Sequence, residues 1–155
     1  MNGVDFLTGT WDVANRRLTT QLTPGPATWA EFPATTAGHS LFGGAGNIDE
    51  ITFPTLGHQG ATLRLFDRET ELWSLYWSDS RNGRLFPPVT GRFTGDRGDF
   101  HGNDTHEGRP VRVHFVWHRL GPDAARWEQE FSADGGASWQ LNWTMDFTRT
   151  GRAAA

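Results

Sequence analysis

The chain has 155 residues, a formal net charge of −4 and no cysteine. That is the size of one ordinary domain. It excludes disulfides and thiolate metal sites, and the acidic balance argues against nucleic acid or an anionic membrane as the main partner.

The 14 basic residues are all Arg, and eight Trp and eleven Phe accompany a single Tyr. Nineteen Gly and eight Pro punctuate the chain, and long helical periods are missing. Short strands with frequent turn signals predict an all-β barrel or sandwich. No apolar run approaches the roughly 20 residues of a membrane helix. The N-terminus MNGVDFLTGTW shows neither the basic nor the apolar region of a signal peptide, so a cytoplasmic location is expected.

In chain order, Phe6–Val13 reads as a first strand, and Asn15–Leu22 as a second or its approach. Thr23–Thr36 carries Pro24, Gly25, Pro26 and Pro33 and reads as a loop or short strand, a lid over one mouth. The glycine-rich run Gly38–Glu50 lets backbone approach something closely. It lacks the Lys and the strand-to-helix setting of a phosphate loop. Two readings stand: it presents Asn47, Asp49 and Glu50 to a ligand, or it is a glycine bulge leading into strand Ile48–Phe53.

Ala61–Phe66 and Leu72–Ser78 form a hairpin in which Trp73, Leu75 and Trp77 share a face. Pro87-Pro88 breaks the chain, and Gly91–Thr94 and Asp99–His101 flank the turn Gly95–Gly98. Along Val111–Leu120, Val113, Phe115 and Trp117 oppose Arg112, His114, Val116 and His118. Arg126–Arg149 is two strands and a tight turn: Trp127, Gln129 and Phe131 align, then Trp139, Leu141, Trp143, Met145 and Phe147. Turn spacing gives roughly eight to ten strands. Residues 1–150 are read as a single antiparallel barrel domain and 151–155 as a disordered tail.

Three resemblances sharpen this reading. Ser132-Ala133-Asp134-Gly135-Gly136-Ala137-Ser138-Trp139 resembles the Asp-box turn of sialidases, a structural signature that supplies turn chemistry and nothing reactive. Gly9-Thr10-Trp11 resembles the G-x-W opening of the calycins (lipocalins, fatty-acid-binding proteins, avidins), which implies a calycin-like barrel with Arg149 packed over Trp11. The succession GGAGNIDE, LRLFD, WSLYW, PPVTGRF, GDF, VHFVW, RWEQEFS, DGGASW and NWTMDFTR resembles small bacterial calycin-like domains of the DUF1579 kind, which implies the fold and almost no chemistry.

In such a barrel the apolar face is the interior: Trp73, Leu75, Trp77, Val113, Phe115, Trp117, Trp127, Phe131, Leu141, Trp143 and Met145. An aromatic lining suits a flat or apolar molecule, and the same rings can equally fill a packed core. Candidate ligand-binding residues are Asn47, Trp73, Trp77, Phe115, Trp117, Trp127, Gln129 and Trp143, with Gln129 as the polar member of the inner face. A one-residue slip would instead line the interior with Arg112, His114, His118, Glu128, Asn142 and Asp146.

His101, Asp104, His106 and Glu107 read as a cluster within a loop that could bind a hard or borderline cation, but they match no specific zinc spacing. Nitrobindin-type haem barrels continue G-x-W with further glycines, which Gly9-Thr10-Trp11-Asp12-Val13 lacks. No metal and no cofactor is therefore assigned. The leading expectation is a monomer or homodimer that binds a small apolar or aromatic organic molecule in the barrel. The alternative is a cofactor-independent isomerase, cyclase or lyase of secondary metabolism, with acid–base help from His39, Asp49, Glu50 or Glu128. A third reading is a packed domain whose surface binds a protein.

Overall fold

A computed structural model of the protein describes residues 3–152. After a short 3-10 turn at Val4–Leu7, ten strands follow: β1 Gly9–Leu18, β2 Trp29–Leu41, β3 Gly46–Phe53, β4 His58–Asp67, β5 Leu72–Asp79, β6 Val89–Thr94, β7 Arg97–His106, β8 Arg109–Gly121, β9 Ala124–Ser132 and β10 Gln140–Gly151. Each pairs antiparallel with its neighbour in sequence, and β1 pairs with β10 to close a single barrel. Closure removes the sheet edges that would otherwise template aggregation.

Alternation along each strand sorts the side chains. In β1, Trp11, Val13 and Asn15 are buried while Asp12, Ala14 and Arg16 are exposed. The same period places Trp73 and Leu75 of β5, Val113 and Trp117 of β8, and Trp127 of β9 in the core. The turns match their residues. Between β7 and β8, Glu107 (φ 50) and Gly108 (φ 78) make a two-residue connection in the doubly positive conformation that fits the twist of a hairpin.

The Asp-box folds as a turn held by its own side chains. Asp134 accepts from the amide and hydroxyl of Ser138 and from the Ser132 hydroxyl. Those contacts, Ser138 first, hold its carboxyl down at about 2.

One end of the barrel is plugged. Val4 and Leu7 are buried in it, and the Val4 carbonyl accepts from Asn47 Nδ2 at 2.8 Å. The expected contact of Arg149 is present: its guanidinium lies 4.2 Å from the centre of a Trp11 ring. It also donates to the carbonyls of Thr8 (2.7 Å), Phe6 (2.8 Å) and Pro122 (3.1 Å). One side chain thus ties the last strand to the plug and to the β8–β9 turn.

Several expectations need correction. Of the two readings of Thr23–Thr36, loop or short strand, residues 29–36 take the strand and form no lid: they are the first half of the long strand β2. Pro33 is tolerated there because it pairs with Ala14 of β1, whereas β2 meets β3 only from Thr35 onward, so no ladder donor is missing. The glycine-rich run Gly38–Glu50 is the end of β2, a 3-10 turn at Phe42–Gly44 and the start of β3 at Gly46, and it sits at the plugged end. Leu141 is exposed rather than internal, because the β9–β10 register slips between Leu141 and Trp143 and turns Asn142 inward instead. Strand β10 runs to Gly151, one residue into the segment expected to be a tail, and 153–155 lie outside the described residues.

The weakest seam lies between β5 and β6, which pair only from Trp73 to Leu75 against Gly91 to Val89. Beyond it the chain departs as the loop 80–88. A lone bridge from Ser78 to Leu85 and a bond from the Phe86 amide to the Trp77 carbonyl (2.8 Å) hold that loop to the wall.

Candidate functional site: the barrel cavity

Toward the end away from the plug, the barrel encloses a cavity of about 250 Å³. Leu75 and Trp77 of β5, Val113, Phe115 and Trp117 of β8, Trp127, Gln129 and Phe131 of β9, and Trp143, Met145 and Phe147 of β10 line it. These are alternate residues of their strands, so the inner face read from the sequence is the inner face of the molecule. The rings brace one another edge to face: Trp127 meets Phe115 at 5.0 Å and Trp143 at 5.4 Å between centres. Arg17 and Gln21 at the end of β1, Phe86 and Pro87 of the loop after β5, and Asn103 to His106 at the end of β7 border the open end.

Polar groups interrupt this apolar lining at a few places. Deep in the wall, Arg64 of β4 donates from one Nη to Asp49 of β3 (2.7 Å) and to the Asn47 amide oxygen (3.0 Å). Both charged residues are under 10% exposed, so the pair stabilises only as a unit. Arg64 Nε is buried without a partner.

Nearer the opening, the Arg17 guanidinium stacks 4.6 Å from the centre of a Trp143 ring. Its Nε too is buried and unpartnered. Burial lowers its pKa, Arg81 adds repulsion, and Asp79 pulls weakly the other way. Asp79 itself is occupied. Arg81 donates to it at 2.6 and 3.0 Å, and these bonds hold its carboxyl down at about 2.

His106 borders the cavity with Nε2 buried and no hydrogen-bond partner; the Glu107 carboxylate, at 3.9 Å, is too far to serve. Gln129 donates to Asn142 Oδ1 (2.8 Å), and Trp143 Nε1 donates to Asn15 Oδ1 (3.0 Å).

Of the residues expected to bind or act, Trp77, Phe115, Trp117, Trp127, Gln129, Trp143 and Asp49 border the cavity. Trp73 lies outside its lining, 1% exposed and packed on Phe66 at 5.3 Å. Asn47 is buried behind the lining as a strut between Arg64 and the plug. His39 and Glu50 are exposed on the outer faces of β2 and β3.

Glu128 is on the outer wall of β9, bonded to His118 (2.9 Å) and Arg126 (3.4 Å). Burial would raise its pKa, but these bonds outweigh burial and hold it low. The alternative lining of Arg112, His114, His118, Glu128 and Asp146 is likewise outside; among these residues only Asn142 is turned in, by the bulge. His114 is held on that outer wall between Glu130 (2.7 Å) and Asp99 (2.8 Å) and stacks on His101 at 4.3 Å. Forked bonds from Arg97, then His114, keep the Asp99 carboxyl at about 2.

Arg17, Arg64 and His106 were not singled out as cavity residues. Alternation in β4 points the other way for Arg64, because Leu63 and Leu65 flank it and Thr62, Arg64 and Phe66 share its face.

No protein-family model matches the chain, and no curated protein matches it either. The DUF1579-like affiliation therefore has no family match behind it, and the established class is the fold: a closed, antiparallel, ten-stranded barrel with an internal cavity. Among the described residues no helix is long and apolar enough to cross a membrane, and no group of three or more His, Asp or Glu is placed to hold a metal ion.

Proposed function

We propose that the protein binds a small apolar or aromatic organic molecule inside the barrel, and that it is a calycin-like carrier or receptor for that molecule. The observation that carries the reading is the aromatic cavity of about 250 Å³ opposite a sealed end. Ring faces and edges provide area burial and stacking, while the fixed polar groups orient the guest. The volume lies just under the roughly 300–1,000 Å³ of drug-sized sites, so the guest is small. The Trp11–Arg149 contact supports the calycin-like kinship.

The alternative, a cofactor-independent isomerase, cyclase or lyase, has less behind it. Of its four acid–base candidates, His39 and Glu50 are exposed and Glu128 is on the outer wall. Asp49 alone borders the cavity, and Arg64 holds it in an ion pair.

The test is native mass spectrometry of freshly purified protein beside its denatured mass, followed by titration with an apolar dye read through tryptophan quenching. A non-covalent added mass, or saturable quenching that Trp127→Ala weakens, is expected. A clean apo mass with no quenching by any apolar probe would mean that the rings are core and the activity lies on the surface.

A further inference from the structure

Of the two arginines that line the cavity, Arg64 has an ion pair and Arg17, among the described residues, has none. Arg17 is on the inner face of β1, in step with Trp11, Val13 and Asn15, and its cross-strand neighbour is Trp143. Its guanidinium lies over the Trp143 ring, and among the described residues it has neither an ion pair nor a side-chain hydrogen bond. Asp79, the carboxylate that acts on it, is held in a fork by Arg81, and Arg64 holds Asp49. Asp104 at the rim accepts the amide of Thr105 at 2.8 Å and has no ion pair among the described residues.

A half-buried guanidinium against an indole has lost much of its water, and a cation–π contact repays only part of that loss. A second buried polar atom, His106 Nε2, has no hydrogen-bond partner among the described residues on the same cavity's border. An acceptor arriving with the guest would satisfy the Arg17 guanidinium.

We propose that the guest is a carboxylate: a flat apolar or aromatic body lying among Phe115, Trp127 and Trp143, with its carboxylate turned toward the opening and paired with the fork of Arg17. This rests on the binding reading above and specifies its ligand class. A guanidinium presents two parallel N–H donors that match a carboxylate and still lie flat on the ring. Arg64 does not serve in this role, because Asp49 already satisfies its charge at 2.7 Å.

The experiment compares 2-naphthoate with 2-naphthamide, which share one apolar body and differ in charge, by calorimetry and tryptophan quenching. Wild-type protein is expected to bind the naphthoate on the order of ten- to a hundred-fold more tightly, the range of a charge-assisted bond. Arg17→Gln should remove most of the naphthoate's advantage over the amide, whatever it does to the amide itself. Arg17→Lys, which keeps the charge and loses the fork, should fall between them.

Equal binding of the two probes by wild type, or tighter binding of the amide, would overturn the carboxylate assignment and leave interior binding standing. Binding of neither probe by folded protein would sink the interior-binding reading itself. Should Arg17→Gln fail to fold, the wild-type comparison and its salt dependence still decide, because only the naphthoate should weaken as salt is raised.

Discussion

The buried pair of Arg64 and Asp49 offers the sharpest quantitative check on this interior. Arg64→Met removes the cation that lies over the Trp117 ring and leaves the buried Asp49 without its partner. It also strips Asn47 Oδ1 of its donor. Stranding one partner of a buried pair costs about 3–5 kcal/mol. Asp49→Val strands the cation instead, and because Arg64 keeps its bond to Asn47 the cost is smaller, about 2–3 kcal/mol.

The double variant removes both charges and leaves only the orphaned Asn47 oxygen, worth about 1–3 kcal/mol. The single costs therefore exceed the double by roughly 2–3 kcal/mol or more, a coupling well beyond the ~0.5 kcal/mol scatter of independent sites. Urea unfolding followed by tryptophan fluorescence measures all four corners, with an unchanged m value as the control on the end states. Additive single costs, each under about 1 kcal/mol, would refute the placement of this pair in a low-dielectric wall.

Other consequences follow from single contacts. Arg149→Met keeps apolar bulk over Trp11 but removes three carbonyl bonds and the stacked charge; it should cost about 3 kcal/mol and raise amide exchange in the plug around Val4–Thr8, and unchanged exchange there would contradict its role as the tie. A Cβ on Gly60 would stand 1.9 Å from the Trp77 ring, so Gly60→Ala should push that indole into the cavity, costing about 1–2 kcal/mol and weakening uptake of an apolar dye; tighter uptake would argue against the assigned lining. A Cβ on Gly91 would meet the Asp99 carbonyl oxygen at 1.8 Å, backbone that cannot swing away. Gly91→Ala should therefore lower the melting temperature more than Gly60→Ala does.

Asp79 sets part of the acid response. Its folded value of about 2 lies below the ~3.9 of an unfolded Asp. Its stabilisation is therefore in force above about pH 4 and fades as the pH falls toward 2. Asp79→Asn should flatten the urea midpoint over that window, and an unaltered slope would show that the Arg81 fork does not persist in solution.

The aromatic wall was legible from alternation alone. Trp73-Leu75-Trp77, Val113-Phe115-Trp117 and Trp127-Gln129-Phe131 each declare a face; alternation left barrel and sandwich open, and the calycin resemblance chose the barrel. The contact of Arg149 with Trp11 was legible by resemblance. What alternation hid are the places where the interior is polar.

In β4, Leu63 and Leu65 are on the outer wall while Arg64 is inside, so the rule that apolar residues face inward assigns that strand backwards. Arg64 is affordable inside only because Asp49 waits on the neighbouring strand, a partnership that no local window contains. Leu141 fails for a different reason: one extra residue in β10 resets the period, and nothing in Leu141-Asn142-Trp143 marks the bulge. Pro33 misdirects because its neighbours signal a loop, whereas only the stagger of β2 between β1 and β3 leaves its missing donor harmless.

The short ladder between β5 and β6 has a bearing on how a guest would come and go. Parting that seam breaks the few backbone bonds along Trp73–Leu75 and the bridge at Ser78, and leaves the other ladders closed. Local openings of this kind lie far below global unfolding in free energy. Residence time of a guest and melting temperature are then separate properties. Substitutions that tighten the plug should raise the melting temperature and leave release unchanged, whereas stapling the loop 80–88 to β5 should slow release and scarcely move the melting temperature.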